Sequence, residues 1–206
     1  MANYDGVVSR YLNRPLSRPA ARLLARTPAT PNAVTLFTLG LAVAAGALVA
    51  AGWNIAGGIL IQAVSVIDGV DGDLARLKGM ATRFGAVLDA VTDRYADALM
   101  LGGMTVYAAR YEDWPRPEFV GMLALGAALT VSYSRARIEA SMDAKPSDGL
   151  FGLASRDVRS LVAAAGAVAG QCYWTLVVLA AASAATVAWR LLYLGFRNPG
   201  QSGERQ

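Results

Sequence analysis

Four aspartates within 26 residues have the types and spacing to do chemistry. Residues 68–93, DGVDGDLARLKGMATRFGAVLDAVTD, take the form D-x-x-D-G-x-x-A-R, then eight residues, then G-x-x-x-D-x-x-x-D. Wound as an α-helix at about 100° per residue, Asp68, Asp71, Gly72, Ala75 and Arg76 fall within an arc of about 140°. The second half places Gly85, Asp89, Asp93 and Asp97 within about 120° of one another. Two carboxylate-bearing faces therefore follow each other, joined by a polar turn at 78–83. Asp68, Asp71, Asp89 and Asp93 are candidate metal ligands, because clustered carboxylate oxygens suit hard cations such as Mg²⁺ or Mn²⁺. Asp73 points about 90° or more away from its neighbours and is expected to be solvated near the turn. Asp97 shares the acidic face and is open to pairing with an arginine.

The flanks of this stretch give it meaning. IAGGILIQAVSVI precedes Asp68 and ALMLGGMTVYAA follows Asp97, which is the composition of membrane-spanning helices. Counted from Asn54 at about 1.5 Å per residue, Asp68 lies about 21 Å along its helix, inside a hydrocarbon slab about 30 Å thick. An ionised Asp near a helix centre costs about 2.5–3.5 kcal/mol on insertion scales, so four or five of them require a water-filled cavity, counter-cations or both. Arg76 and Arg94 are the fixed cations nearby in sequence. They leave the cluster net negative, which argues for divalent metal.

The elements that position these acids follow from hydropathy. The chain has 206 residues and is 55% apolar, the composition of one membrane domain rather than of a soluble core. It contains no histidine, which excludes His metal sites, His bases and His triads, and its one cysteine, Cys172, excludes an intramolecular disulfide and reads as buried filler. No apolar run precedes Val34, so no secretory signal is expected. In residues 1–33, expected to be a cytoplasmic juxtamembrane arm, Arg10, Arg14, Arg18, Arg22 and Arg26 recur at every fourth position, partly opposed by Tyr11, Leu12, Leu16, Leu23 and Leu24. That pattern predicts an amphipathic helix on an anionic membrane surface, broken or kinked by Pro15 and Pro19.

Six spans are expected, at about 34–51, 54–77, 84–109, 119–137, 158–170 and 173–194, within a membrane domain of residues 34–197 followed by a tail of residues 198–206. The fold class is thus an all-α integral membrane protein with an N-terminal interfacial helix. With that topology sixteen Lys and Arg fall on one side and only Arg110 and Arg116 on the other. The positive-inside rule then puts both termini and the mouth of the aspartate cavity in the cytoplasm, in a plasma-membrane protein with no nucleic-acid partner. Arg135 and Arg137 end the fourth span and Arg156 and Arg159 open the fifth, so they converge on that mouth. They either hold an anion or serve as basic flanks.

Asp68, Asp71, Gly72, Ala75, Arg76, Gly85, Asp89 and Asp93 match every fixed position of the signature of the CDP-alcohol phosphotransferase family of integral membrane enzymes. The chain resembles that family over its whole length. The resemblance implies a CDP-alcohol donor, an acceptor alcohol, a phosphodiester product and release of CMP. It implies that Asp68, Asp71, Asp89 and Asp93 hold two Mg²⁺ or Mn²⁺ ions, with Asp93 as general base on the acceptor hydroxyl. The CDP would contact Asp68 and Asp71, approach the backbone at Gly72, Ala75 and Gly85, and pair with Arg76; by resemblance Pro31 and Thr35 are also nucleotide neighbours. A homodimer in contact with membrane lipid is likewise implied.

Within the family, the arm SRYLNRPLSRP, the TPN turn, RYADA after Asp93 and SYSRAR are similar to the branch that uses inositol phosphate or CDP-inositol, the di-myo-inositol phosphate phosphate synthases. In that case Arg135, Arg137, Arg156 and Arg159 would hold the phosphate of a phosphorylated polyol acceptor. The alternatives are phosphatidylinositol phosphate or phosphatidylglycerol phosphate synthesis from CDP-diacylglycerol. Two rivals lie outside the family. A prenyltransferase has more spans and widely separated aspartate motifs, and a divalent cation transporter accounts for buried acids but not for the G-x-x-A-R and Gly85 positions.

Overall fold

A computed structural model of the chain describes residues 8–142 and 155–197. Among these residues every regular element is helical. A π-helical turn, Ser9–Asn13, runs into α1 (Arg14–Leu24), followed by α2 (Pro31–Ala50), α3 (Asn54–Lys78), α4 (Arg83–Tyr111), α5 (Pro117–Met142), α6 (Arg156–Val168) and α7 (Cys172–Arg197). The expected tail 198–206 and most of the segment between α5 and α6 lie outside the described residues.

Local chemistry sets the helix ends that frame the acidic stretch. Thr30 precedes Pro31, and its hydroxyl accepts from the Ala33 amide at 3.3 Å, with the proline in the first turn where a missing donor costs nothing. Thr82 accepts from the Gly85 amide at 2.9 Å and starts α4. Gly79, at φ 64°, ends α3 in the left-handed conformation that a glycine adopts without strain. Between that glycine and that threonine the chain has only Met80 and Ala81, so the end of α3 and the start of α4 lie close together, and both helices pack on α2. At the other end of the bundle, Glu112 after α4 reaches across to α7, where its carboxylate accepts from the amides of Cys172 at 2.6 Å and Tyr173 at 2.9 Å. An anion at a helix N-terminus satisfies donors that the helix cannot. Trp114, Tyr173 and Trp174 pack ring to ring beside it, with centroids 5.1–5.7 Å apart.

Helices occupy all six of the stretches expected to span. Length and apolar content single out four of them, α2, α3, α5 and α7, as long and apolar enough to cross a bilayer. The other two differ for separate reasons: α4 has 29 residues but carries the acidic motif, and α6 has only 13, about 20 Å of helix. Together they make an all-helical protein with the character of an integral membrane protein. The α2 helix packs on α3 and α4, α3 on α6, α4 on α5 and α7, and α5 and α6 on α7.

Lipid is as apolar as a leucine side chain, so the bundle is held by close packing of small residues rather than by water exclusion. The tightest crossing is α2 on α4. A Cβ at Gly46 would collide with the Leu99 carbonyl, and one at Gly103 with the Gly46 carbonyl. Gly46→Ala is therefore expected to destabilise the protein by about 1–3 kcal/mol, read as a lowered thermal midpoint in detergent. Gly40→Ala, on the same helix, meets nothing within 4 Å and should leave the midpoint unchanged or raise it.

The N-terminal helix differs from expectation in one respect. Neither proline breaks it: Pro15 sits in the first turn of α1, and Pro19 is carried inside the helix. A π-helical turn precedes it, closed by the Arg14 amide on the Ser9 carbonyl. Its face toward α3 is small or polar, with Asn13, Ser17 and Ala21 buried, while Leu12, Leu16 and Leu23 are exposed.

Candidate functional site

The α3–α4 hairpin brings the two acidic faces together. Carboxylate oxygens of Asp68, Asp89 and Asp93 lie within 4.8 Å of one another. Asp71 stands one turn from Asp68 and is buried; one oxygen accepts from the Thr35 hydroxyl of α2 at 2.5 Å, the other from the Gly72 amide at 2.5 Å. The donors around this point are all hard oxygens, the set that suits Mg²⁺ or Mn²⁺. A cation already marks the place. Arg156, at the start of α6, inserts its guanidinium between Asp68 and Asp93, touching Asp68 and lying 2.9 Å from Asp93 Oδ1. The residues present therefore fit a divalent ion.

Of the two counter-charges that lie nearby in sequence only Arg94 reaches the cluster, and two more come from α6. Asp97, one turn beyond Asp93, is buried and accepts from Arg159 at 2.9 Å, with Arg156 Nε 3.7 Å from its other oxygen. Arg94 donates to Asp93 at 3.1 Å. Arg76 pairs not with the cluster but with Asp73. Asp73 is correspondingly not a solvated end residue. It binds both Arg14 and Arg76 and is mostly buried. Five carboxylates, Asp68, Asp71, Asp89, Asp93 and Asp97, thus face three guanidinium groups, Arg94, Arg156 and Arg159. The site remains acidic even with the arginines counted.

Two open spaces meet at these acids. One, a cleft of about 210 Å³, is lined by Pro31, Thr35, Asp71, Gly72, Ala75, Arg76, Gly85 and Asp89. It contains every residue expected at a nucleotide except Asp68, and adds Asn32 and Thr82. Absence of side chains at Gly72 and Gly85 leaves backbone open to the cleft at those two points. The second, of about 300 Å³, is lined by Asp93, Arg94, Arg135, Glu139, Arg156, Arg159 and Arg190. Three of the four arginines expected at an anion are there. Arg137 is not: two residues after Arg135 it lies about 200° round the helix and is exposed. Arg190 takes its place from α7. It is buried, and donates to the Val131 carbonyl at 2.7 Å and the Ser134 hydroxyl at 3.0 Å. Its signal in the sequence is an arginine inside the apolar run LAAASAATVAWRLL, where a charge at membrane depth calls for a functional reason.

An acid cluster set between a cleft with two glycines in its wall and an arginine-lined cavity has the groups to hold a metal ion and a phosphate. Residues 28–196 match the family model described as CDP-alcohol phosphatidyltransferase, and the chain belongs to that family of transferases. A bifunctional IPC transferase and DIPP synthase of Rubrobacter xylanophilus is 41% identical over 92% of the chain, which spans 43% of that protein's length. A phosphatidylinositol phosphate synthase of Mycobacteroides abscessus is 36% identical over 91% of this chain and 87% of its own. The crystal structure of Mycobacterium tuberculosis phosphatidylinositol phosphate synthase with CDP-DAG bound is similar with a TM-score of 0.77 and 29% identity, covering 93% of this chain and 99% of that one. The same Mycobacterium tuberculosis enzyme in complex with manganese and citrate also gives a TM-score of 0.77.

Proposed function

We propose that the chain transfers a substituted phosphate from a CDP-alcohol to a hydroxyl of a phosphorylated inositol, forming a phosphodiester and releasing CMP. The observation that carries this reading is the placing of two chambers on either side of one acid cluster: Asp89 lines the cleft, Asp93 lines the arginine cavity, and these are one helical turn apart on α4. A donor in the first and an acceptor in the second would put the reacting hydroxyl beside the phosphorus.

In this scheme cytidine lies against Pro31, Thr35 and the backbone at Gly72, Ala75 and Gly85, and Arg76 faces the diphosphate. Asp68, Asp71, Asp89 and Asp93 would hold two Mg²⁺ or Mn²⁺ ions, which when bound neutralise charge on the diphosphate and the departing CMP. Asp93 accepts the proton of the acceptor hydroxyl as its oxygen attacks the phosphorus that carries the donor alcohol, and the bond from that phosphorus to CMP breaks. Arg135, Arg156, Arg159 and Arg190 would supply donors for the acceptor's own phosphate. The names of the inositol-linked relatives support the inositol part of the reading.

CDP-inositol is the donor in this reading. CDP-diacylglycerol is the second reading, favoured by the exposed apolar side chain of Met80 in the cleft wall, which would meet an acyl chain, and by similarity over 99% of a synthase of phosphatidylinositol phosphate. Cation transport is not favoured, since membership of a transferase family and the cleft beside the acids both go unused by it. Six spans in a plasma membrane, α1 on its cytoplasmic surface, both termini and the site mouth cytoplasmic, residues 34–197 as the catalytic unit and a homodimeric state complete the proposal.

CMP release by purified protein with Mn²⁺ or Mg²⁺ tests it, with CDP-inositol and CDP-diacylglycerol supplied in parallel and inositol phosphate, glycerol phosphate or free inositol as acceptor. Turnover with inositol phosphate is the expected result; turnover only with an unphosphorylated acceptor would remove the arginine cavity from the scheme. Arg135→Ala is the informative variant, because Arg135 is half exposed and pairs with Glu139 at 3.1 Å. It should raise the acceptor KM about tenfold and leave the donor KM alone. Arg159→Ala is less clean: it strands the buried Asp97, a loss of about 3–5 kcal/mol of stability.

A further inference from the structure

Asp73 belongs to neither chamber, yet its surroundings are built. Both its oxygens accept from Arg14 Nη1 at 2.9 Å, and Oδ1 also accepts from Arg76 Nη2 at 2.6 Å. The Asp73 and Arg14 side chains are 14% and 16% exposed, whereas Arg76 is 60% exposed. Arg76 is a wall of the cleft beside Asp71, Gly72 and Asp89. A side chain that exposed has many rotamers to lose when it meets a ligand. Asp73 removes most of that freedom beforehand. The charge is also right: one carboxylate shared by two guanidinium groups leaves a net positive fork facing the cleft, and without Arg14 the pair would be neutral.

Arg14 is in turn fixed by the way the arm is seated. Asn13 donates to the Ser65 hydroxyl at 3.1 Å and accepts from Gln62 at 3.2 Å. Ser17 lies against Gly69, where a Cβ would stand 3.5 Å from its hydroxyl. At the arm's far end Lys78, the last residue of α3, donates to the carbonyls of Thr27 at 2.6 Å and Ala29 at 2.7 Å, just before the cleft residue Pro31. The arm is thus held on α3 by polar contacts and by a small apolar cluster of Ala21, Leu24, Val70 and Leu74, while Leu12, Leu16 and Leu23 are exposed. A helix docked on a soluble protein presents the opposite arrangement. Leucines on the outside of a latched helix fit an acyl-chain boundary.

Resting on the donor reading above, we propose that Asp73 is a positioning residue for the nucleotide cleft. It holds Arg76 at the diphosphate and takes its own place from Arg14 on the membrane-lying arm, so that seating of the arm is coupled to donor affinity. The coupling is local and needs no movement of α3.

Binding of CDP with Mn²⁺ to the full chain in phospholipid nanodiscs, measured by calorimetry alongside thermal midpoints and donor kinetics, tests this. Arg76→Gln and Asp73→Asn should each raise the CDP Kd about tenfold, with donor KM following and, for Asp73→Asn, kcat within about twofold; Arg14→Gln, at a residue that is not in the cleft wall, should raise Kd about threefold. Asp73→Glu should recover most of the affinity. A lowered midpoint with an unchanged Kd in Asp73→Asn would assign Asp73 a structural role only and overturn the proposal. An unchanged Kd in Arg76→Gln would overturn it as well, by removing the group through which Asp73 acts. Should Asp73→Asn not fold, Arg14→Gln decides: the same Kd as wild type breaks the coupling. Failure of the wild-type protein to bind CDP is a different result, which sinks the donor reading itself and this inference with it.

Discussion

Asp93→Asn is expected to lower kcat by about 10²–10⁴-fold while CDP binding in the presence of Mn²⁺ changes by no more than about threefold. Asparagine has nearly the shape of aspartate and keeps one oxygen for a cation, but it cannot take a proton from the acceptor hydroxyl. The location makes the separation testable. Asp93 lines the arginine cavity and not the cleft, whereas Asp89, one turn earlier, lines the cleft. A residue on the acceptor side should therefore affect chemistry more than donor affinity. Single-turnover CMP release and calorimetric CDP binding on the same preparation check this. Equal loss of both would move Asp93 from base to plain ligand. Asp93 also receives Arg156 at 2.9 Å and Arg94 at 3.1 Å, so a thermal midpoint is needed to show that the variant keeps its fold.

Exhaustive chelation is expected to abolish turnover, with recovery on adding Mn²⁺ or Mg²⁺ but not Na⁺ or K⁺. Its basis is the imbalance of charge: five clustered carboxylates and three guanidinium groups in a bundle of apolar helices leave an unmet demand for positive charge. A second reading of chelated protein follows from the position of Arg156. Its guanidinium lies between Asp68 and Asp93, so Arg156→Met should tighten Mn²⁺ binding while raising the acceptor KM, as it removes both a competing cation and an acceptor contact. Calorimetric Mn²⁺ titration of the two proteins separates these effects. Full turnover in excess chelator would falsify the metal scheme outright.

Periodicity carried much of the sequence reading because it is a local property. The 3.6-residue repeat put Asp68 and Asp71 on one face and Asp89 and Asp93 on another, and the short turn between Gly79 and Thr82 keeps the two helices close enough for those faces to meet. The cleft was legible for the same reason: Gly72, Ala75, Arg76 and Gly85 are within 14 residues of one another, and Pro31 and Thr35 belong to a helix that must pack beside the hairpin. Even the exclusion of Arg137 was implicit, since residues two apart on a helix face opposite ways.

What the sequence by itself determined was thus the hairpin, its acids and its helical membrane class. Only the tertiary structure decided the cations that answer them. Arg156 meets Asp68 across 88 residues, Arg159 meets Asp97 across 62, and Arg14 meets Asp73 across 59. Nothing in the spacing of those arginines distinguishes them from basic flanks that obey the positive-inside rule, because flanking charge and ion-pairing charge are the same residue type in the same stretch of sequence. Their roles were fixed by which helices pack together, α6 and α1 on α3 and α7 beside α4 and α5, and helix packing in lipid depends on small residues matched over long separations.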